Sequence, residues 1–174
     1  MGCLISSLVL KAQDDYALST PRDFNKQPSK NAAFIELLGN AGLYSLNFDR
    51  IYLYKNDLKL SGRFGFAPEP HGNHFEQGYV IEHNIILFSN PHHLEIGTGL
   101  TLQRRYNEKP GLPDNYFWEN IWFGVFRAGY RFQKQEDGVF FKTGLTPIIM
   151  RNSAEGFDSG YFQFWFGAAI GISF

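Results

Sequence analysis

The final stretch, 162–174, constrains the fold more than any other. In Phe162, Phe164, Phe166, Ala168, Ile170, Ile172 and Phe174 every second side chain is apolar, while Gln163, Trp165, Gly167, Ala169, Gly171 and Ser173 between them are mostly small or polar. A period of two belongs to a β-strand, whose successive side chains point to opposite faces. One face of this strand suits hydrocarbon and the other a crowded interior.

The same alternation runs upstream. Tyr44, Leu46 and Phe48 oppose Ser45, Asn47 and Asp49; Leu58, Leu60, Phe64 and Phe66 oppose Lys59, Ser61, Arg63 and Gly65. Leu94, Ile96, Thr98, Leu100 and Leu102 oppose Glu95, Gly97, Gly99, Thr101 and Gln103. Segments 77–88, 118–132 and 138–150 alternate less cleanly, but Glu82, Arg127, Arg131 and Lys142 fall on one side of their strands. No segment carries a stripe of helical period.

Composition fits one architecture in particular. Aromatic residues make up 17% of the chain, yet mean hydropathy is -0.26. A helical membrane protein needs apolar runs of about 20 residues, and none is present. A membrane barrel reconciles the two figures, because lipid-facing apolar residues alternate with polar interior ones. A net charge of -1 gives no footprint for nucleic acid. The single cysteine, Cys3, excludes an internal disulfide and says nothing of compartment.

Short connections are expected at 54–57, 89–92 and 133–137, longer polar ones at 68–76, 104–117 and 151–159. Outer-membrane barrels have short periplasmic turns and longer external loops, so a periplasmic C-terminus puts all the long loops outside. An even strand count requires a turn inside 33–53. Gly39-Asn40-Ala41-Gly42 is its place, because the polar face changes parity there, from Glu36 and Asn40 to Ser45, Asn47 and Asp49. A hairpin accounts for that change, and so does a β-bulge within one long strand. The fold expected is all-β: an antiparallel up-and-down transmembrane β-barrel of eight strands over 33–174.

Residues 1–13 read as the end of a signal peptide with its basic start truncated, cleaved near Ala12 or Gln13. Met1-Gly2-Cys3-Leu4-Ile5-Ser6 also fits a loose myristoylation pattern, to which nothing downstream adds. Polar residues 14–32, with Pro21 and Pro28, read as a flexible periplasmic lead-in.

Several segments carry a family resemblance. The run from Asn31 to Arg50, Leu94-Glu95-Ile96-Gly97-Thr98-Gly99-Leu100-Thr101, Gly129-Tyr130-Arg131-Phe132-Gln133 and Phe141-Lys142-Thr143-Gly144-Leu145-Thr146-Pro147 resemble strands of small outer-membrane β-barrel proteins of the Bacteroidetes type, in the OmpA-like or OmpX-like size class. Leu10-Lys11-Ala12-Gln13 is similar to the end of their leaders. Gly167, Ile170, Ile172 and Phe174 resemble a barrel-assembly signal of glycine, spaced apolar residues and a terminal aromatic. The resemblance covers about four-fifths of the chain. It implies the bacterial outer membrane, contact with lipid and lipopolysaccharide, and recognition of the last strand by barrel-assembly machinery; it implies no particular activity.

The chemistry-bearing residues expected inside are Glu36, Asp49, Glu82 and Glu95 with Arg63, Arg127, Arg131 and Lys142. An eight-stranded barrel is about filled by its own side chains, and buried charges need partners. Matched signs therefore point to a salt-bridged plug with no open pore. His71 and His74 are expected at one end and His92 and His93 at a turn at the other, too far apart for a shared metal site. Glu82 and His83 face opposite sides of a strand, and Ser61 and Ser89 lack an evident base, so no catalytic, cofactor or metal site is assigned. Arg104, Arg105 and Tyr106, with Trp118, Trp122 and Trp165, are candidates for an interfacial girdle and for lipopolysaccharide phosphates. The role expected is structural or interactive, through the external loops. A soluble lipocalin-like carrier would face its aromatics inward, and a lipid-modifying barrel enzyme would gather a nucleophile and base at one rim.

Overall fold

The computed structural model describes residues 29–55, 57–71, 74–88, 91–108, 116–134, 136–151 and 160–174. The leader 1–13 and positions 14–28 of the lead-in lie outside them. The described residues form eight strands: β1 (Asn31–Leu37), β2 (Tyr44–Lys55), β3 (Leu58–His71), β4 (His74–Leu87), β5 (His92–Glu108), β6 (Tyr116–Gln133), β7 (Gly138–Arg151) and β8 (Gly160–Ser173). Each pairs antiparallel with its sequence neighbours, and β1 pairs with β8 to close the barrel.

The change of parity at 39–42 is a hairpin. Leu38 N–H donates to Leu43 O at 3.0 Å and Gly42 N–H to Gly39 O at 3.3 Å. Gly42 sits at φ 111°, open to glycine and strained for other residues. A bulge does occur, but in β2, where the register with β3 shifts between Ile51 and Leu53.

Two expected boundaries are corrected. Strand β1 begins at Asn31, inside the expected lead-in, because Asn31 and Phe174 exchange both backbone hydrogen bonds at 3.0 Å and Ala32 packs with Phe34, Phe140 and Ala169. The segment 68–76 is mostly strand: Pro68 pairs with Gln77, Glu69 with Glu76, Pro70 with Phe75 and His71 with His74. Strands β5 and β6 likewise continue to the pair Glu108–Tyr116. Residues 109–115 and 152–159, the rest of the two longer expected connections, lie outside the described residues.

Burial repeats the alternation with the sense of a membrane barrel. Inward positions along the middle of the barrel are mostly buried, while large apolar side chains line the outside: Phe164 is 67% exposed, Ile170 64% and Ile81 60%. Closure is tight between β6 and β7, where Gly129 faces Gly144. A Cβ on Gly144 would stand 2.6 Å from both the Ala128 carbonyl oxygen and the Gly129 Cα. Gly144→Val is therefore expected to lower unfolding free energy by about 1–3 kcal/mol, the usual range for overpacking. A urea titration of the folded barrel checks this, and an unchanged midpoint would mean the two strands are freer to part than described.

Candidate functional site

The interior holds the largest concentration of chemistry in the protein. Period-two geometry delivers one inward side chain every second residue: Glu36 from β1, Asp49 from β2, Arg63 from β3, Glu82 from β4, Glu95 from β5, Arg127 and Arg131 from β6, and Lys142 from β7. All eight are no more than 3% exposed.

Antiparallel register decides who meets whom. Asp49, Arg63 and Glu82 lie on one cross-strand row. Arg63 Nη1 donates to Glu82 Oε2 at 2.9 Å and Nη2 to Glu36 Oε2. Asn47 Oδ1 accepts from Arg63 Nε at 2.9 Å and from Nη2 at 2.7 Å. Arg127 Nη2 lies 2.7 Å from Glu36 Oε1, and its Nε lies 3.5 Å from Glu82 Oε2. Asn40, carried by the 38–43 turn, folds in and donates to Glu82. This loop-side cluster joins the next through Arg127 and Glu95, 3.9 Å apart.

The second cluster centres on Arg131. Its Nη2 donates to Asp49 Oδ1 and its Nη1 to Glu95 Oε2, each at 2.9 Å. Gln133 Oε1 accepts from Nε and Nη2 at 2.9 and 2.7 Å. Lys142 Nζ donates to Glu95 Oε1 at 2.8 Å, and Ser61 Oγ to Asp49 Oδ2 at 3.0 Å. The Ser61 hydroxyl is thus committed to a carboxylate already paired with Arg131, which is not a nucleophile–base arrangement.

Two aromatic rings stand among these charges. Phe34 and Phe140 stack at 4.9 Å between centroids. The Arg63 guanidinium and the Lys142 ammonium lie 5.5 and 4.9 Å from the Phe34 ring, and Arg131 lies 4.8 Å from Phe140. Cations over ring faces in a desolvated site gain attraction from the quadrupole. The sequence reading assigned aromatics to the outside and missed both rings. The adjacent pair Phe140-Phe141 hides the parity of β7, and only the neighbouring Lys142 reveals it.

Toward the turn end lie Lys59 and His93, both buried. His93 Nδ1–H donates to the Phe88 carbonyl at 2.9 Å, leaving Nε2 to accept from Lys59 Nζ at 3.2 Å. His92 and His93 belong to β5 rather than to the expected turn, since β5 already pairs with β6 at His92–Phe132. His92 points outward and meets the Tyr130 hydroxyl at 2.6 Å. His83 also faces outward, as its parity required, 3.4 Å from the Tyr52 hydroxyl. The side chains of His71 and His74, and Ser89, lie outside the described residues. Among the described residues no group of three metal-ligating side chains converges.

On the outside, Arg104 lies 4.8 Å from the Trp118 ring and Tyr106 stacks on Tyr116; Arg105, of the opposite parity, turns to the loop end of the interior, where its Nε donates to Glu76 at 2.6 Å. Trp118 and Trp122 are exposed, whereas Trp165 turns inward against Phe123, Val125 and Ile148 and is no part of a girdle. In the final strand Ile170, Ile172 and Phe174 face outward, and Gly167 faces in, where a Cβ would stand 3.2 Å from Glu36 Oε1.

The arrangement can neutralise itself. Four carboxylates and four cations occupy one desolvated volume and share hydrogen bonds. Such a network is costly to break by removing one member, because a charge is then stranded in low dielectric.

No family model and no curated protein matches the chain. Among solved structures, the N-terminal β-barrel domain of Pseudomonas aeruginosa OprF is similar, with a TM-score of 0.55 at 15% identity over 83% of this chain and 96% of that one. Neisserial surface protein A gives 0.46 at 15% identity over 83% and 94%. Ail, the attachment invasion locus protein of Yersinia pestis, gives 0.45 at 13% over 83% and 94%. At such identities the OprF likeness establishes the closed-barrel architecture.

Proposed function

We propose that the chain is an integral outer-membrane β-barrel of a Gram-negative bacterium, of the small Bacteroidetes type its sequence resembles, with a plugged interior and a structural or surface-interaction role. The observation that carries this reading is the inverted burial: the acidic and basic side chains of the network sealed inside, and a belt of Phe, Leu and Ile outside. Water penalises that belt and hydrocarbon does not. A soluble carrier of an apolar ligand needs the opposite arrangement, with apolar groups lining the cavity.

The geometry of the two clusters supports the plugged interior. Arg63, Arg127, Arg131 and Lys142 reach across the barrel to carboxylates from other strands, and Phe34 and Phe140 occupy the space between. Function then rests with the surfaces: the lipid-facing belt, the Arg104–Trp118 neighbourhood suited to lipopolysaccharide phosphates, and the final strand, with Phe174 as its assembly signal. The inward charges are committed to one another in ion pairs, which supports a non-catalytic role.

Cell fractionation combined with gel mobility tests the reading. The full-length protein is expected in the outer membrane, running faster unheated than heated. Purified into planar bilayers, it is expected to give no steady single-channel conductance. Recovery as a detergent-free soluble protein would overturn the location, and a steady open conductance would overturn the plug.

A further inference from the structure

A cavity of about 180 Å³ lies on the loop side of the charge network, between the 38–43 turn and the walls of β5 to β8. Its lining includes Ala41, Thr101, Gln103, Phe123, Ile148 and Trp165. Phe123 and Ile148 belong to one apolar cluster against which Trp165 packs. Asn40, whose amide is tied to Glu82, also contributes to the lining. The space therefore adjoins the plug without being part of its charge pairing.

Two residues of this lining each carry a buried polar atom with no hydrogen-bond partner among the described residues. Thr101 is 1% exposed and its Oγ1 makes no hydrogen bond; the Trp165 Nε1–H is buried and also unpaired. Buried polar groups are rarely left so, and each costs about 1–3 kcal/mol unless something meets it. An indole N–H only donates, and a hydroxyl can donate. What completes this site is an acceptor atom.

Size and charge narrow the occupant. An engineered apolar cavity of about 150 Å³ takes up benzene, so the space here suits one ring with a short substituent. Glu69, whose carboxylate accepts the Leu43 N–H, also lines the cavity and disfavours an anion. We infer that the cavity is a binding site for a small neutral aromatic molecule carrying one acceptor oxygen, an aromatic alcohol or carbonyl compound, held by Trp165 Nε1–H and Thr101 Oγ1 with its ring against Phe123 and Ile148. The site uses interior residues only and stands whether or not the outer-membrane reading does.

The test uses the folded, full-length, ¹⁵N-labelled barrel in detergent, with benzyl alcohol as the probe and toluene as its oxygen-free counterpart. Three tryptophans give three indole N–H signals, and Trp165→Phe identifies the one that matters. Benzyl alcohol is expected to move the Trp165 signal saturably while Trp118 and Trp122 stay put. It should bind about fivefold to tenfold more tightly than toluene, the value of one hydrogen bond to an otherwise unmet donor. Thr101→Val is expected to narrow that preference, and Ile148→Phe, which fills the space, to abolish the saturable shift, with heat-modifiable mobility reporting that both variants fold. No movement of the Trp165 signal, or equal unsaturable drift of all three, would overturn the site. So would benzyl alcohol binding unchanged in the folded Ile148→Phe protein.

Discussion

Arg63→Met is expected to lower the unfolding free energy of the barrel by about 3–5 kcal/mol, the cost of breaking a buried ion network from one side. Arg63 holds Glu82 at 2.9 Å and also Glu36. Without it Arg127 is the cation paired with both carboxylates, its Nε 3.5 Å from Glu82, to which Asn40 adds only an amide. Methionine fills much of the lost volume, so the effect reports charge more than cavity. Adding Glu82→Gln restores three acids to three bases and is expected to recover at least half of the loss. Urea unfolding in lipid vesicles, followed by tryptophan emission, gives both numbers. A single variant within about 1 kcal/mol of the parent would mean that water reaches these groups, and the plugged interior would have to be given up.

The second large effect belongs to the outer face. Leu145 lies midway along β7, is 51% exposed and is flanked by Ala128 and Phe166. Leu145→Arg is expected to cost about 2–4 kcal/mol in a bilayer, the range for arginine near the midplane of a lipid-facing surface. In a water-soluble barrel the same surface change would fall within about 0.5 kcal/mol. Measured in vesicles, the substitution thus separates a membrane barrel from a soluble one by thermodynamics alone. A near-zero cost would place Leu145 in water.

Strand positions were legible because each strand divides one face from the other. In β8 the alternation is unbroken from Phe162 to Phe174, and the inward charges of β3 to β7 could be read from their parity. The hairpin at 39–42 was legible for the same reason, since only a turn or an extra residue moves the polar face from Glu36 to Ser45. The reach of the strands at the loop end was not. Around Pro68–His71 and Arg104–Glu108 both faces carry polar residues, so the alternation that signals a strand fades while the hydrogen-bonded ladder continues. Pairing within the interior was also hidden. That Arg131 would meet Asp49, Glu95 and Gln133 depends on the stagger of strands far apart in sequence, which period-two reading does not supply. The cavity beside Trp165 was missed because Trp165 was grouped with surface tryptophans, although its position between Phe164 and Phe166 already placed it inside.

The seam between β1 and β8 has a consequence for how the barrel comes together. The other ladders join neighbours across a turn or loop, so their ends are never far apart while the chain is still open. The seam instead aligns Ala32 with Ser173 and Leu37 with Ala168, positions at opposite ends of the folded chain, through a strand of only seven residues. Bringing such distant ends together carries the largest entropic toll of any step, and the short β1 returns few bonds for it. Non-local pairings of this kind are the slow ones. The barrel is therefore a sheet that can grow hairpin by hairpin and must finish with one rare, cooperative event, the exchange of hydrogen bonds between Asn31 and Phe174 that leaves the sheet without a free edge.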